Sequence, residues 1–260
     1  FIQRVKDYAI KAVREAKVHT AWLRPDTEYE EATLAFIDQI LQSSSPFLES
    51  FLPFQRKIAH FGIFNSLSQT LLKLTSPGIP DIYQGTELWD LSMVDPDNRR
   101  PVDFSRRLAY LEEIQRRIKQ DSLQLIQDLL LHRHDGRIKL FLIHQVLKGR
   151  QEQPQLFLEG SYIPLQVSGS YANHVIAFAR QHDKQVVLVV APRFLTSLID
   201  ETQDPLGELV WKDTEIQLPR WKRLDWVNGL TQEGIPAGDT LPVGAVLKSF
   251  PVALLWGQSR

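Results

Sequence analysis

The chain has 260 residues, with 30 lysines and arginines against 31 aspartates and glutamates, for a formal net charge of −1. That balance gives no field to draw in a polyanion, so composition offers no support for broad nucleic-acid binding. Hydrophobic residues make up 43% and charged ones 23%, a globular composition, and the absence of cysteine removes disulfides, thiolate–zinc sites, iron–sulfur clusters and a cysteine nucleophile.

A chain of this length buries roughly three quarters of its unfolded surface, enough for one large core or two modest ones. No run approaches the ~18 uncharged apolar residues of a membrane span, and no signal peptide is expected among these residues. No membrane partner and a cytoplasmic, reducing setting are expected. The chain opens Phe1-Ile2-Gln3-Arg4, inside a helical pattern with no cap before it, and its only methionine is Met93. This start is expected of a piece of a longer protein.

Residues 1–150 hold five glycines and seven prolines, and residues 151–260 hold eight of each. The apolar period changes at the same place, from 3.6 to 2. The first half reads as helices. Ile2, Val5, Ala9, Val13 and Ala16 recur at helical spacing. Thr27, three residues before Glu30, reads as a capping box for a helix with Leu34, Ile37 and Leu41 on its apolar face. Ser45-Pro46 reads as an N-cap followed by proline at the first helical position. After Pro53 a long helix is predicted with Ile58, Phe61, Leu67, Leu71 and Leu74 inward, ending at Ser76-Pro77. Ser105 is the expected cap of the next helix, with Leu108, Leu111, Ile114 and Ile118 inward. Helices are also predicted around 122–131 and 136–150, and the run Ile138–Ile143 is apolar nearly all round, as a helix buried against a sheet is.

The second half reads as short strands. Val175–Phe178, Val186–Val190, Val243–Leu247 and Val252–Leu255 are the apolar runs, and Asn228-Gly229 is a hairpin signal. The fold class expected is an α+β fragment, mainly helical over 1–153 and an all-β antiparallel sheet or sandwich of about seven strands over 154–260.

Between the helices, Gly78–Glu87 combines a Pro-Gly break, a very short apolar strand and a loop that stays polar and aperiodic to Asp103. Loops that leave strands in this pattern carry the chemistry of barrel and doubly wound folds. Asp81–Asp103 is dense in carboxylates, amides, guanidiniums and aromatic rings, the groups that read sugar hydroxyls and C–H faces. The same residues also suit a loop pinned by its own Asp–Arg pairs and Asx turns. Asp95 and Asp97 lack the glycine and terminal glutamate of a calcium loop. His132, His134 and His144 lack metal-ligand spacing, and the arginine pairs at 99–100, 106–107 and 116–117 read as a solvated face. There is no nucleophile elbow, phosphate loop or dinucleotide fingerprint, and no cofactor or metal is expected.

Gly78-x-Pro80-x-x-Tyr83-x-Gly85-x-Glu87 resembles the last-strand motif of the α-amylase superfamily. The longer run from Leu74 to Asp103 resembles the maltooligosyl trehalose synthase family, with further similarity at Lys11–Lys17, Gly136–Leu140, Ala177–Arg180 and Pro251–Leu255. The resemblance implies the C-terminal helices and last strand of a (β/α)8 barrel, followed by an all-β domain. It implies an intramolecular transglucosylation that turns the reducing-end α-1,4 linkage of a maltooligosaccharide into an α,α-1,1 linkage, as in trehalose biosynthesis. The family's catalytic carboxylates lie on earlier strands and none of their motifs occurs here. His182-Asp183, in the β half, does not match, so no catalytic residue is assigned. The chain alone is expected to be inactive and to need the N-terminal remainder of the enzyme as its partner. The residues expected to wall the pocket around the reducing-end glucose are Tyr83, Gln84, Glu87, Trp89, Asp95, Asp97, Asn98 and Arg99. Two alternatives stay open: part of another α-amylase-superfamily glucosidase or glucosyltransferase, or a non-catalytic glycan-binding or scaffolding module presenting Trp211, Trp221, Trp226 and Trp256.

Overall fold

The computed structural model describes residues 1–218 and 220–258. Two compact units emerge. The first comprises Phe1–Ala59 and Asp90–Val102, and the second comprises His60–Trp89 and residues from Asp103 onwards.

In the first unit, α1 (Ile2–Ala16) and α2 (Thr27–Ile40) pair, followed by the opening turns of α3 (Pro46–Thr75). The cap of α2 is Asp26 rather than Thr27. The Asp26 side chain accepts from the Tyr29 amide, because a carboxylate one residue earlier reaches the free N–H groups that Thr27 would have to serve. Ser45 does cap α3, its hydroxyl accepting from the Phe47 amide. The helix begins before Pro53 and runs through it, since the missing proline N–H removes only one intrahelical bond near the start. No residue of α1 is fully buried, and ion pairs tie it to α2: Arg14 with Glu30 at 2.7 Å, and Lys6 with Asp38 at 2.6 Å.

The second unit is layered. Its sheet has the order β1 (Ser161–Pro164), β3 (Val175–His182), β4 (Gln185–Pro192), β9 (Ala253–Gln258), β6 (Asp225–Asn228), β7 (Gly234–Ile235). A smaller sheet joins β2 (Val167–Ser168), β5 (Glu215–Gln217) and β8 (Thr240–Pro242). Every described pairing is antiparallel, with nine strands in place of about seven. Alternation along β4 explains the layering. Val187 and Val189 face a core shared with α3, α4 (Phe104–Gln120), α5 (Ser122–Leu131), α6 (Arg137–Glu152) and α7 (Pro154–Leu158). Val186, Leu188 and Val190 face a second core closed by Ile216 and Leu241 of the smaller sheet. Buried on both faces, β4 reads as a continuous apolar run. In α6, Ile138 and Leu140–Ile143 are buried in the first core, as their all-round apolarity predicts.

Several expectations are corrected here. The α4 cap is Asp103, whose carboxylate accepts from the Arg106 amide, and not Ser105. Ile58 and Leu108 are exposed rather than inward. Val243–Val246 is a single helical turn, α9, with Pro242, still in extended conformation, as its N-cap. Another short helix, α8 (Glu208–Trp211), precedes β5. The Asn228-Gly229 hairpin forms with a wider loop than a two-residue turn, since the Asn228 amide donates to the Glu233 carbonyl. Residues 79–83 form no strand, because no described segment offers them a ladder to join. Nor is there a tryptophan platform. Trp211, Trp221 and Trp226 lie in the second core, and Trp256 packs against the first.

Candidate functional site

The candidate residues divide between the two units. In the second unit, α3 ends at Thr75 and the chain turns through Gly78 at φ 121°, a conformation that favours glycine. Tyr83–Thr86 closes a turn, with the Thr86 amide and hydroxyl both donating to the Tyr83 carbonyl. Glu87 fixes that turn from within. Its Oε2 accepts from the Gly85 amide at 3.0 Å and from Arg107 Nε at 2.9 Å, while Arg107 Nη2 donates to the Gly85 carbonyl at 2.6 Å. Glu87 is therefore a loop anchor. Trp89 is anchored too, its indole N–H donating to the Arg133 carbonyl at 2.7 Å and its ring resting on the first core. Tyr83 is 67% exposed and Gln84 is exposed, and neither spends its side-chain polar group on a described partner.

In the first unit, the segment after Asp90 is held by cations. Asp97 is only 5% exposed. It accepts from Arg4 Nε at 2.6 Å and Nη2 at 2.8 Å and from the Met93 amide at 2.8 Å. Asp95 accepts from Lys11 Nζ at 3.0 Å and Arg99 Nη2 at 3.2 Å. Asn98 and Arg99 are exposed on a 3-10 turn, Asp97–Arg99. Both aspartates take the pinned-loop role that their composition allowed. The anchors Arg4, Lys11, Arg107 and Arg133 were not foreseen, since none lies near its partner in sequence.

The electrostatics favour the ionised form of both aspartates. The Arg4 guanidinium bonded to Asp97 holds that carboxyl well below the usual range, and Lys11 lowers Asp95 in the same way. A general acid at neutral pH needs the opposite shift. Arg14 and then Thr20, both bonded to Glu30, bring its pKa down from 4.5 to about 2. A depressed folded-state pKa contributes stability that is present above the unfolded value and lost as pH falls through the folded one. The α1–α2 pair is therefore expected to hold above pH 4.5 and to loosen as pH drops toward 2, followed by backbone amide exchange. Exchange that stays flat across that window would contradict the assignment, and Glu30→Gln is expected to flatten it.

The chain matches no profile of a known protein family. It is 32% identical over 252 residues, 97% of its length, to a Mycobacterium tuberculosis protein named as a maltooligosyl trehalose synthase. The solved structure of maltooligosyltrehalose synthase from Arthrobacter ramosus is similar over 99% of the chain, at 28% identity and a TM-score of 0.74. The chain is a homologue of maltooligosyl trehalose synthase. A Sulfolobus tokodaii structure bearing that enzyme's name agrees, at 27% identity and a TM-score of 0.66. The chain spans 28% of the length of the mycobacterial synthase and 30% of the Arthrobacter one. Because the match to the synthases covers nearly all of this chain, it takes in both units.

Proposed function

We propose that the chain is the C-terminal part of an enzyme that rearranges the reducing-end α-1,4 linkage of maltooligosaccharides to α,α-1,1, serving trehalose biosynthesis in the cytoplasm. Residues 1–153 then belong to the catalytic barrel and its helical insertion, and residues from 154 to the all-β domain. The observation that carries this reading is the end-to-end similarity to proteins of that name. Net retention at the transferred carbon requires carboxylates that make and resolve a glycosyl-enzyme intermediate. Asp95 and Asp97 are engaged by Lys11 and Arg4 as loop anchors, and in this reading the reactive carboxylates are supplied by the N-terminal remainder. The chain alone is inert in this account.

Within the candidate residues, anchoring and contact separate. Glu87, Trp89, Asp95 and Asp97 hold loops in place, while Tyr83, Gln84, Asn98 and Arg99 present groups to sugar hydroxyls. The four tryptophans of the glycan-module alternative are packed in or against the two cores, which favours the enzyme reading. Water must be kept from the intermediate while the released glucose reorients, so loss of a contact residue favours hydrolysis. In the full-length enzyme, Tyr83→Ala and Gln84→Ala are each expected to raise hydrolysis relative to non-reducing product several-fold on maltopentaose. An unchanged product ratio would remove these residues from the site.

A further inference from the structure

Arg180, on β3, is 1% exposed and has no carboxylate partner in its hydrogen bonds. Its guanidinium donates instead to three carbonyls: Thr75 at 3.0 Å, Phe157 at 2.9 Å and Gly160 at 2.8 Å. Arg150, on α6, donates to the Leu74 carbonyl at 2.8 Å and the Gly78 carbonyl at 3.3 Å, with its guanidinium carbon 5.0 Å from the centre of the Phe157 ring. Two cations from separate elements thus converge on the last carbonyls of α3, where the helix dipole is negative. Burial lowers the pKa of both guanidiniums, and Arg150 repels Arg180. Placing two such charges together is costly, so their convergence on one helix end calls for a reason. The segment that follows the clamped carbonyls is Gly78–Glu87, with exposed Tyr83 and Gln84.

We infer that Arg150 and Arg180 are positioning residues that fix the start of the Gly78–Glu87 segment by clamping the end of α3, so that Tyr83 and Gln84 are presented in one arrangement. This rests on the reading that the segment meets sugar in the full-length enzyme. A rigid fork is needed to reach several carbonyls at once, so lysine, a point charge, does not replace it.

The test uses full-length enzyme carrying Arg150→Lys, Arg150→Gln or Arg180→Lys. Amide exchange over residues 76–87 is read alongside kcat, KM and the product ratio on maltopentaose. The expected result is faster exchange confined to 76–87 and hydrolysis rising several-fold, with KM little changed and no rescue by lysine. Unchanged exchange over 76–87 would overturn the clamp, as would faster exchange with an unaltered product ratio or full activity in the lysine variants. Arg150, partly exposed, keeps the test open should Arg180→Lys unfold the protein. If the unmodified enzyme makes no non-reducing product, the functional reading fails, and the exchange pattern alone then decides the clamp.

Discussion

Phe141→Ala is expected to destabilise the second unit by about 3–5 kcal/mol, the usual cost of emptying a phenyl site in a close-packed core. Phe141 is fully buried on α6, with its ring centre 5.6 Å from that of Phe250. Its neighbours in the first core come from the long helix α3, from α5 and from the inward face of β4. No one of these elements can move inward to refill the space without breaking its contacts with the others, so relaxation is limited. Urea unfolding would show a lower midpoint at unchanged slope. A loss near zero would mean that α6 is not buried against the sheet.

Gly136→Ala is the second large effect, expected to cost about 1–3 kcal/mol through backbone strain. Gly136 sits at φ 85°, where it caps the turn leading into α6. A Cβ there would lie 3.0 Å from both Leu88 Cβ and the Trp89 amide nitrogen. The neighbours able to yield are backbone and the root of a side chain, so Leu88 and Trp89 must shift together. The Trp89 indole N–H would then lose its bond to the Arg133 carbonyl. Proton NMR of that indole should show a displaced resonance with faster solvent exchange, and an unchanged signal would show that the close approach carries no strain.

Which parts of this molecule can be read from its residues follows from the range of the forces involved. The α6 run Ile138–Ile143 and the strand runs at Val175 and Val186 declare themselves because burial on nearly all sides leaves Lys139 as the one polar position among them. The caps of α2 and α4 fall one and two residues from their expected places, since Asp26 competes with Thr27 and Asp103 with Ser105. Val243–Leu247 carries strand-like residues, yet it forms a turn of helix closed by the Leu247 amide donating to the Val243 carbonyl, tertiary context overriding propensity. In the candidate site, the density of acids between Asp81 and Asp103 is visible, but the division of labour is not. Asp97 is an anchor because of Arg4, 93 residues away, and Glu87 because of Arg107, 20 residues away. Trp89 is claimed by Arg133, 44 residues away. Pairings at such separations leave no local periodicity to detect.

In the proposed function these 260 residues support a sugar-rearranging site whose reactive carboxylates lie elsewhere in the full-length enzyme. The most direct test is proton NMR of maltopentaose incubated with the purified chain, and separately with the full-length enzyme. The expected result is an unchanged spectrum with the chain alone and loss of the reducing-end anomeric signals, with gain of an α,α-1,1 signal, for the full-length enzyme. Turnover of maltopentaose by the chain alone would contradict it.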